Sequence, residues 1–328
     1  MTGDASDRRA YPLLAVGVAA VSSAAIWVRL SELPPVVLAF YRLAFAAAAL
    51  GLVLGGQKLL GRGARSSSGA SPPPRGWWRW AALAGVSLAA HWSIWFASLG
   101  MTSVLSSTVL VTTQPLWVVL LAWLLWRERI GRGQAAALGV ALAGSAAVAG
   151  ADALAPGRLG PQPAEAMWSS HSLAGDALAL AAAVLVSVYL LVGQRLRPHV
   201  PLLEYLGVVY GAGAATLLGV AWGLGVPVAG WPAREMWLGA GIAAVPTLIG
   251  HSALNAVVGR LGASVVATAV LGEPVGASVL ALALFGEWPS ALHWVGAAMI
   301  LGGIYLFTRR SRVGAPGEVQ AGDVTVGS

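Results

Sequence analysis

The 328-residue sequence contains no cysteine and a single lysine, Lys58, and only 10% of its residues are charged. Without cysteine there can be no disulfide, thiolate metal site or cysteine nucleophile. A soluble domain carries about 25% charged residues, so this chain lacks the polar surface that water demands. A phosphate-binding Walker motif, an H-E-x-x-H metal motif, a G-x-S-x-G elbow and an H-x-x-x-H pair are also missing. Their absence removes direct ATP drive and the commonest zinc and serine-hydrolase chemistries, and no cofactor is expected. The net charge of +7 sits on no soluble domain, so it points away from nucleic acid and toward membrane topology.

What remains is apolar. Hydrophobic residues make up 57% of the chain and the mean hydropathy is +0.75. Apolar stretches of roughly 18 to 25 residues, each able to span a bilayer as a helix, recur throughout. They predict an all-α polytopic membrane protein with ten spans, at 11–28, 35–55, 77–98, 103–126, 134–151, 174–193, 203–224, 236–256, 263–285 and 291–308. The alternating ten-residue segments of a membrane β-barrel are not seen. Arg8 and Arg9 before the first span imitate a signal peptide, but the further spans favour a retained first helix behind a tail at 1–10. A Gly/Ser/Pro-rich loop follows span two, a linker at 152–173 separates two halves, and a polar tail at 309–328 reads as disordered.

Charge asymmetry orients the chain. With the N-terminus in the cytoplasm, sixteen of the twenty Lys and Arg residues fall inside and three, Arg29, Arg158 and Arg234, fall outside. Both termini are therefore expected in the cytoplasm. Spans four and five also repeat as spans nine and ten. "QPLWVVLLAWLLWRERIGRGQAAALGVALAGSAAVAG" and "EPVGASVLALALFGEWPSALHWVGAAMILGGIYLF" each place a polar residue before a proline and a glutamate thirteen positions after it. The frames are Gln114, Pro115, Glu128 and Glu273, Pro274, Glu287, with Gly144 matching Gly303. Five spans per half make the second half, 174–308, enter from the side opposite to the first, 11–151. Inverted repeats of this kind characterise secondary transporters with a midplane site.

The paired "P…LAWLLWRE" and "P…LALALFGE" blocks, and the arginine-containing "LAFYRLAFAAAAL" of span two, resemble the EamA-type drug/metabolite transporter family. The likeness runs from residue 11 to 308. It implies a ten-helix, two-repeat fold and export or exchange of small metabolites by alternating access, without naming a substrate.

Ionisable groups at a helix centre cost about 2.5–3.5 kcal/mol on insertion scales, which makes each one a candidate site residue. Glu273 reads as a proton- or amine-binding carboxylate, or as a protonated side chain bonded to a neighbouring helix. Gln114 reads as substrate ligand or interhelical glue. Pro115 and Pro274 should bend their helices. His91 with Trp95, and His251 with Asn255, each share a helix face four residues apart. They line a cavity or hold helices together, and Thr247 extends the second stripe. Arg42 snorkels or pairs with Glu32, or else faces the cavity as a cation. Trp77, Trp78, Trp80, Trp126, Trp231, Trp237 and Trp288 fit an interfacial belt, whereas Trp92, Trp95 and Trp117 lie deeper. Glu128 and Glu287 read as caps or gates.

Two function classes follow. One is a secondary transporter of the bacterial inner membrane, handling amino acids, amines or amphipathic drugs, with lipid as its surroundings and protons as a candidate coupling ion. The other is an intramembrane enzyme or lipid-handling protein using the same cavity, for which no nucleophile–base pair or metal site is visible.

Overall fold

Hydrocarbon offers the backbone no hydrogen-bonding partner, so a chain this apolar must satisfy its amides internally. The computed structural model describes residues 4–60, 73–126, 131–154, 169–196, 199–261, 269–270, 272–286 and 288–313, and among them no strand forms. The helices are α1 (Asp4–Ser22), α2 (Ala24–Leu30), α3 (Pro35–Leu59), α4 (Trp77–Leu99), α5 (Val104–Val111), α6 (Gln114–Trp126) and α7 (Arg132–Leu154). They are followed by α8 (Ser169–Leu196), α9 (Leu202–Gly223), α10 (Ala233–Ile242), a π-helical segment (Ala243–His251), α11 (Ser252–Leu261), α12 (Glu273–Phe285) and α13 (Ala291–Val313). Six stretches among the described residues are long and apolar enough to cross a membrane: Ala10–Leu30, Pro35–Gln57, Trp77–Leu99, Ser172–Gly193, Leu202–Gly223 and Ala233–Leu254. The chain is a multi-pass membrane protein. Large apolar side chains turn outward, among them Leu52, Trp222 and Trp237, a surface that lipid tolerates and water does not.

Helical residues begin at Asp4 and continue to Val313, so parts of both expected tails are helical. Residues 314–328, the loop at 61–72 and most of the expected linker, 155–168, lie outside the described residues.

Several expected single spans are broken, each for a readable reason. The expected span at 103–126 divides at Thr112–Thr113, directly before Gln114 and Pro115. Proline brings no amide proton to the ladder, and the threonine hydroxyls add hydrogen bonds to carbonyls of the preceding turn. Thr112 Oγ1 donates to Val109 O at 2.8 Å and Thr113 Oγ1 to Leu110 O at 2.6 Å. Thr113 Oγ1 in turn accepts from Trp117 Nε1 at 3.1 Å. In the second half, α12 likewise begins at Glu273 with Pro274 next to it. Glu273 therefore opens a helix instead of standing inside one. The expected first span is jointed at Ser23, whose hydroxyl donates to Ala20 O at 2.7 Å.

Packing mixes the two halves. Helix α3 lies against α9 and α4, α4 is flanked by α8 and α9, α1 runs beside the π segment and α11, and α7 pairs with α13. The α7–α13 contact is reciprocal. A Cβ on Gly144 would lie 2.7 Å from Gly296 O and 2.9 Å from Ile300 N, and one on Gly303 would lie 2.8 Å from Ala137 O and 2.9 Å from Ala141 N. The shift of 159 residues that carries Gln114 onto Glu273 also carries Ala137, Ala141 and Gly144 onto Gly296, Ile300 and Gly303. Small residues allow this approach of backbones. Gly144→Leu and Gly303→Leu are accordingly expected to lower the melting temperature of the purified protein by similar amounts, in keeping with the ~1–3 kcal/mol typical of overpacking. A large difference between the two would show that the contacts are not equivalent.

Candidate functional site

The site grows from one proline. Pro246 lies inside the π-helical segment; it has no N–H to give to Ile242 O, and its ring crowds that carbonyl. The backbone widens, and the Thr247 hydroxyl donates to Ile242 O at 3.0 Å. Such π segments are frequent at functional sites. The same hydroxyl oxygen accepts a hydrogen bond from Arg42 Nε of α3 at 2.7 Å. Arg42 and Thr247 are both fully buried, each 0% exposed.

Arg42 is further held by aromatic rings. Its Cζ lies 3.6 Å from the centroid of the Trp92 ring and 5.8 Å from that of Phe96, two α4 residues one turn apart. Desolvated cation–π contacts of this kind contribute about 2 kcal/mol. The guanidinium is nevertheless unfinished: Nη1 and Nη2 are buried and meet no acceptor among the described residues. An unpaired buried cation costs on the order of several kcal/mol, so the fold keeps a group that is expensive to keep. The expected pairing with Glu32 does not form. Glu32 is 88% exposed and lies 3.9 Å from Arg234, because Arg42 points into the bundle while residue 32 stays at its rim.

Around Trp92 stand His91 at 6.4 Å, Tyr210 at 6.5 Å and His251 at 5.9 Å between ring centroids. His91 Nδ1 lies 2.8 Å from Ala182 O of α8, so this nitrogen carries the proton and donates it. The ring stacks with Trp95 at 6.1 Å and 13°. Trp95 Nε1 is buried and, like the Arg42 Nη atoms, meets no acceptor among the described residues. Glu273 is half-buried at the start of α12. It forms no hydrogen bond with the Arg42 Nη atoms.

The structure thus gathers Arg42, His91, Trp92, Trp95, Thr247 and His251 of the sequence candidates, and adds Phe96 and Tyr210. The Gln114 backbone carbonyl accepts from Ser187 Oγ of α8 at 3.0 Å, and no hydrogen bond joins Gln114 to the Arg42 group among the described residues. The Asn255 and Trp126 side chains, Glu128, Glu287 and residues 262–268 lie outside the described residues. Trp92 does not offer a free face for a cationic substrate, since Arg42 occupies it.

Two polar ties at one end of the bundle escape sequence reading. Glu235, 3% exposed, accepts from Ser31 Oγ at 2.5 Å and from Arg234 Nη1 at 2.7 Å. Asp176 accepts from Thr102 Oγ1 at 2.9 Å, and Thr102 O accepts from Arg29 Nη2 at 2.6 Å. Both join α2 to distant helices. Apart from their charge, no local pattern marks these residues.

The sequence model of the EamA-like transporter family matches residues 10–150 and 173–309. A solved structure titled "Crystal structure of protein" matches 93% of this chain and 98% of its own, at 22% identity and a TM-score of 0.59, a likeness of fold. No curated protein is significantly similar to the chain.

Proposed function

Because this chain belongs to the EamA-like transporter family, we propose that it is a secondary transporter that moves a small metabolite across the bacterial inner membrane by alternating access. Its ten spans form two inverted repeats, 11–151 and 174–308, with both termini cytoplasmic. The reciprocal α7–α13 contact and the helices opening at Gln114-Pro115 and Glu273-Pro274 support the repeat. Transporter sites are commonly built at such interrupted helices, where backbone ends face a cavity.

The observation that carries the reading is where the Arg42 group comes from. Arg42, His91, Trp92 and Trp95 belong to the first half; Tyr210, Thr247 and His251 belong to the second. Rocking of one half against the other changes access to a site both halves share. Export or exchange is the direction, the substrate is one of three classes, an amino acid, an amine or an amphipathic drug, and Glu273 is the group through which protons couple. In reconstituted vesicles, Glu273→Gln is expected to abolish proton-coupled transport while the protein folds normally. Losing a charge-assisted hydrogen bond of about 1.5–3 kcal/mol weakens binding roughly 10- to 100-fold. Counterflow of amino acids, amines and drugs provides the readout, and full activity of the variant refutes the role given to Glu273.

A further inference from the structure

Resting on the transporter reading, we propose that Arg42 is the substrate's anion site and that the transported compound carries a carboxylate, held end-on by Nη1 and Nη2. The guanidinium has one bonding direction left. Its face is against Trp92, its Nε is committed to Thr247, and both Nη nitrogens are buried without a protein acceptor. Two parallel N–H groups in one plane match the two oxygens of a carboxylate. Trp95 Nε1, on the adjoining stripe of α4, is a further buried donor without an acceptor.

The buried atoms of this group without a hydrogen-bond partner, Arg42 Nη1 and Nη2 and Trp95 Nε1, are all donors, and that sorts the candidate ligands. An amine or a cationic drug brings no acceptor and adds a second positive charge beside Arg42. Water accepts hydrogen bonds but leaves the charge unneutralised. A carboxylate does both. Within the span of α3 Arg42 is the one cation among the described residues clear of the helix ends, and a single guanidinium balances one negative charge instead of the two of a phosphate monoester. Carboxylate-bearing substrates are therefore selected, and amines and cationic drugs are rejected, by the same group.

The test uses the purified full-length chain in detergent. The proteinogenic L-amino acids and simple monocarboxylates are each compared with their carboxamides, and tetraphenylphosphonium serves as the cationic probe. Melting temperature is the readout. At least one acid is expected to raise it, and its carboxamide is not. The shift is lost in Arg42→Gln, and Arg42→Lys, which keeps the charge but not the fork, binds the same acid roughly 10- to 100-fold more weakly. Without ligand, Arg42→Gln is expected to melt at or above the wild-type temperature, because an unpaired buried charge has been removed. If Arg42→Gln cannot be purified, Arg42→Lys carries the test. The proposal is overturned if amides stabilise as well as acids, if no acid stabilises the wild type, if tetraphenylphosphonium stabilises it in their place, or if the acid shift survives unweakened in the variants. An acid that stabilises the protein yet does not cross vesicles in counterflow leaves this assignment standing and removes the transporter reading.

Discussion

Trp92→Ala is expected to cost about 3–5 kcal/mol of stability, the range for emptying a buried aromatic site, and to abolish transport. The indole is 2% exposed and touches four groups of the candidate site. It carries the Arg42 guanidinium on its face at 3.6 Å and stands beside His91, Tyr210 and His251. Removing it leaves a cavity lined by a charge, the least favourable lining available in a medium of low dielectric. Trp92→Phe keeps a ring beneath the guanidinium and is expected to retain most of the stability and part of the activity. Melting temperature and vesicle counterflow, measured on both variants, check the argument. A Trp92→Ala protein as stable and active as the wild type would mean that the stack contributes nothing.

The second large effect is expected where two helix backbones meet. Gly85 of α4 faces α9 so closely that a Cβ there would overlap the Val209 carbonyl oxygen, with Ala212 Cβ and Gly213 N each 3.1 Å away. Gly213 faces back, and a Cβ on it would lie 3.0 Å from Gly85 O and 2.7 Å from Leu43 Cδ1. Backbone cannot rotate aside as a side chain can, so Gly85→Val must push α4 away from α9. Overpacking costs about 1–3 kcal/mol where neighbours can relax and more where they cannot. Helix α4 also carries His91, Trp92 and Trp95, so its displacement moves one wall of the site. Loss of monodisperse protein, or of transport in whatever folds, is the expected result. Gly51→Val serves as the control, since a Cβ on Gly51 meets nothing within 4 Å. Equal yields and melting temperatures for the two variants would refute the proposed close contact.

Much of the fold was legible before any coordinates. The lack of charge, the recurrent apolar runs and the requirement that backbone amides pair internally leave helices as the one solution. The prolines at 115 and 274 mark where helices begin anew, because a missing amide proton acts locally. The repeat frame that equates Gly144 with Gly303 anticipated two glycines that meet the same contact from opposite sides. Glu273 was also recognised as unusual, since a carboxylate in such surroundings is costly in any arrangement.

The partners of these residues were not legible. Sequence proximity suggested Glu32 for Arg42, but the bond goes to Thr247, 205 positions away. His91 stacks with Trp95 on its own face, as the spacing suggested, but its hydrogen bond reaches Ala182 of α8. The deeper change is at Pro246, where a proline within an apolar run widened the helix and freed the carbonyl that anchors Thr247. The physical reason is the same in each case. A soluble helix announces its inner face by the contrast between apolar and polar sides, whereas a helix surrounded by lipid is apolar all round. Composition and backbone chemistry, which act along the chain, therefore determined that this protein is helical, spans a membrane and breaks its helices at particular prolines. Which faces turn inward, and hence that a buried arginine meets a threonine and a tryptophan while two of its nitrogens stay open, was decided by the packing of helices remote in sequence.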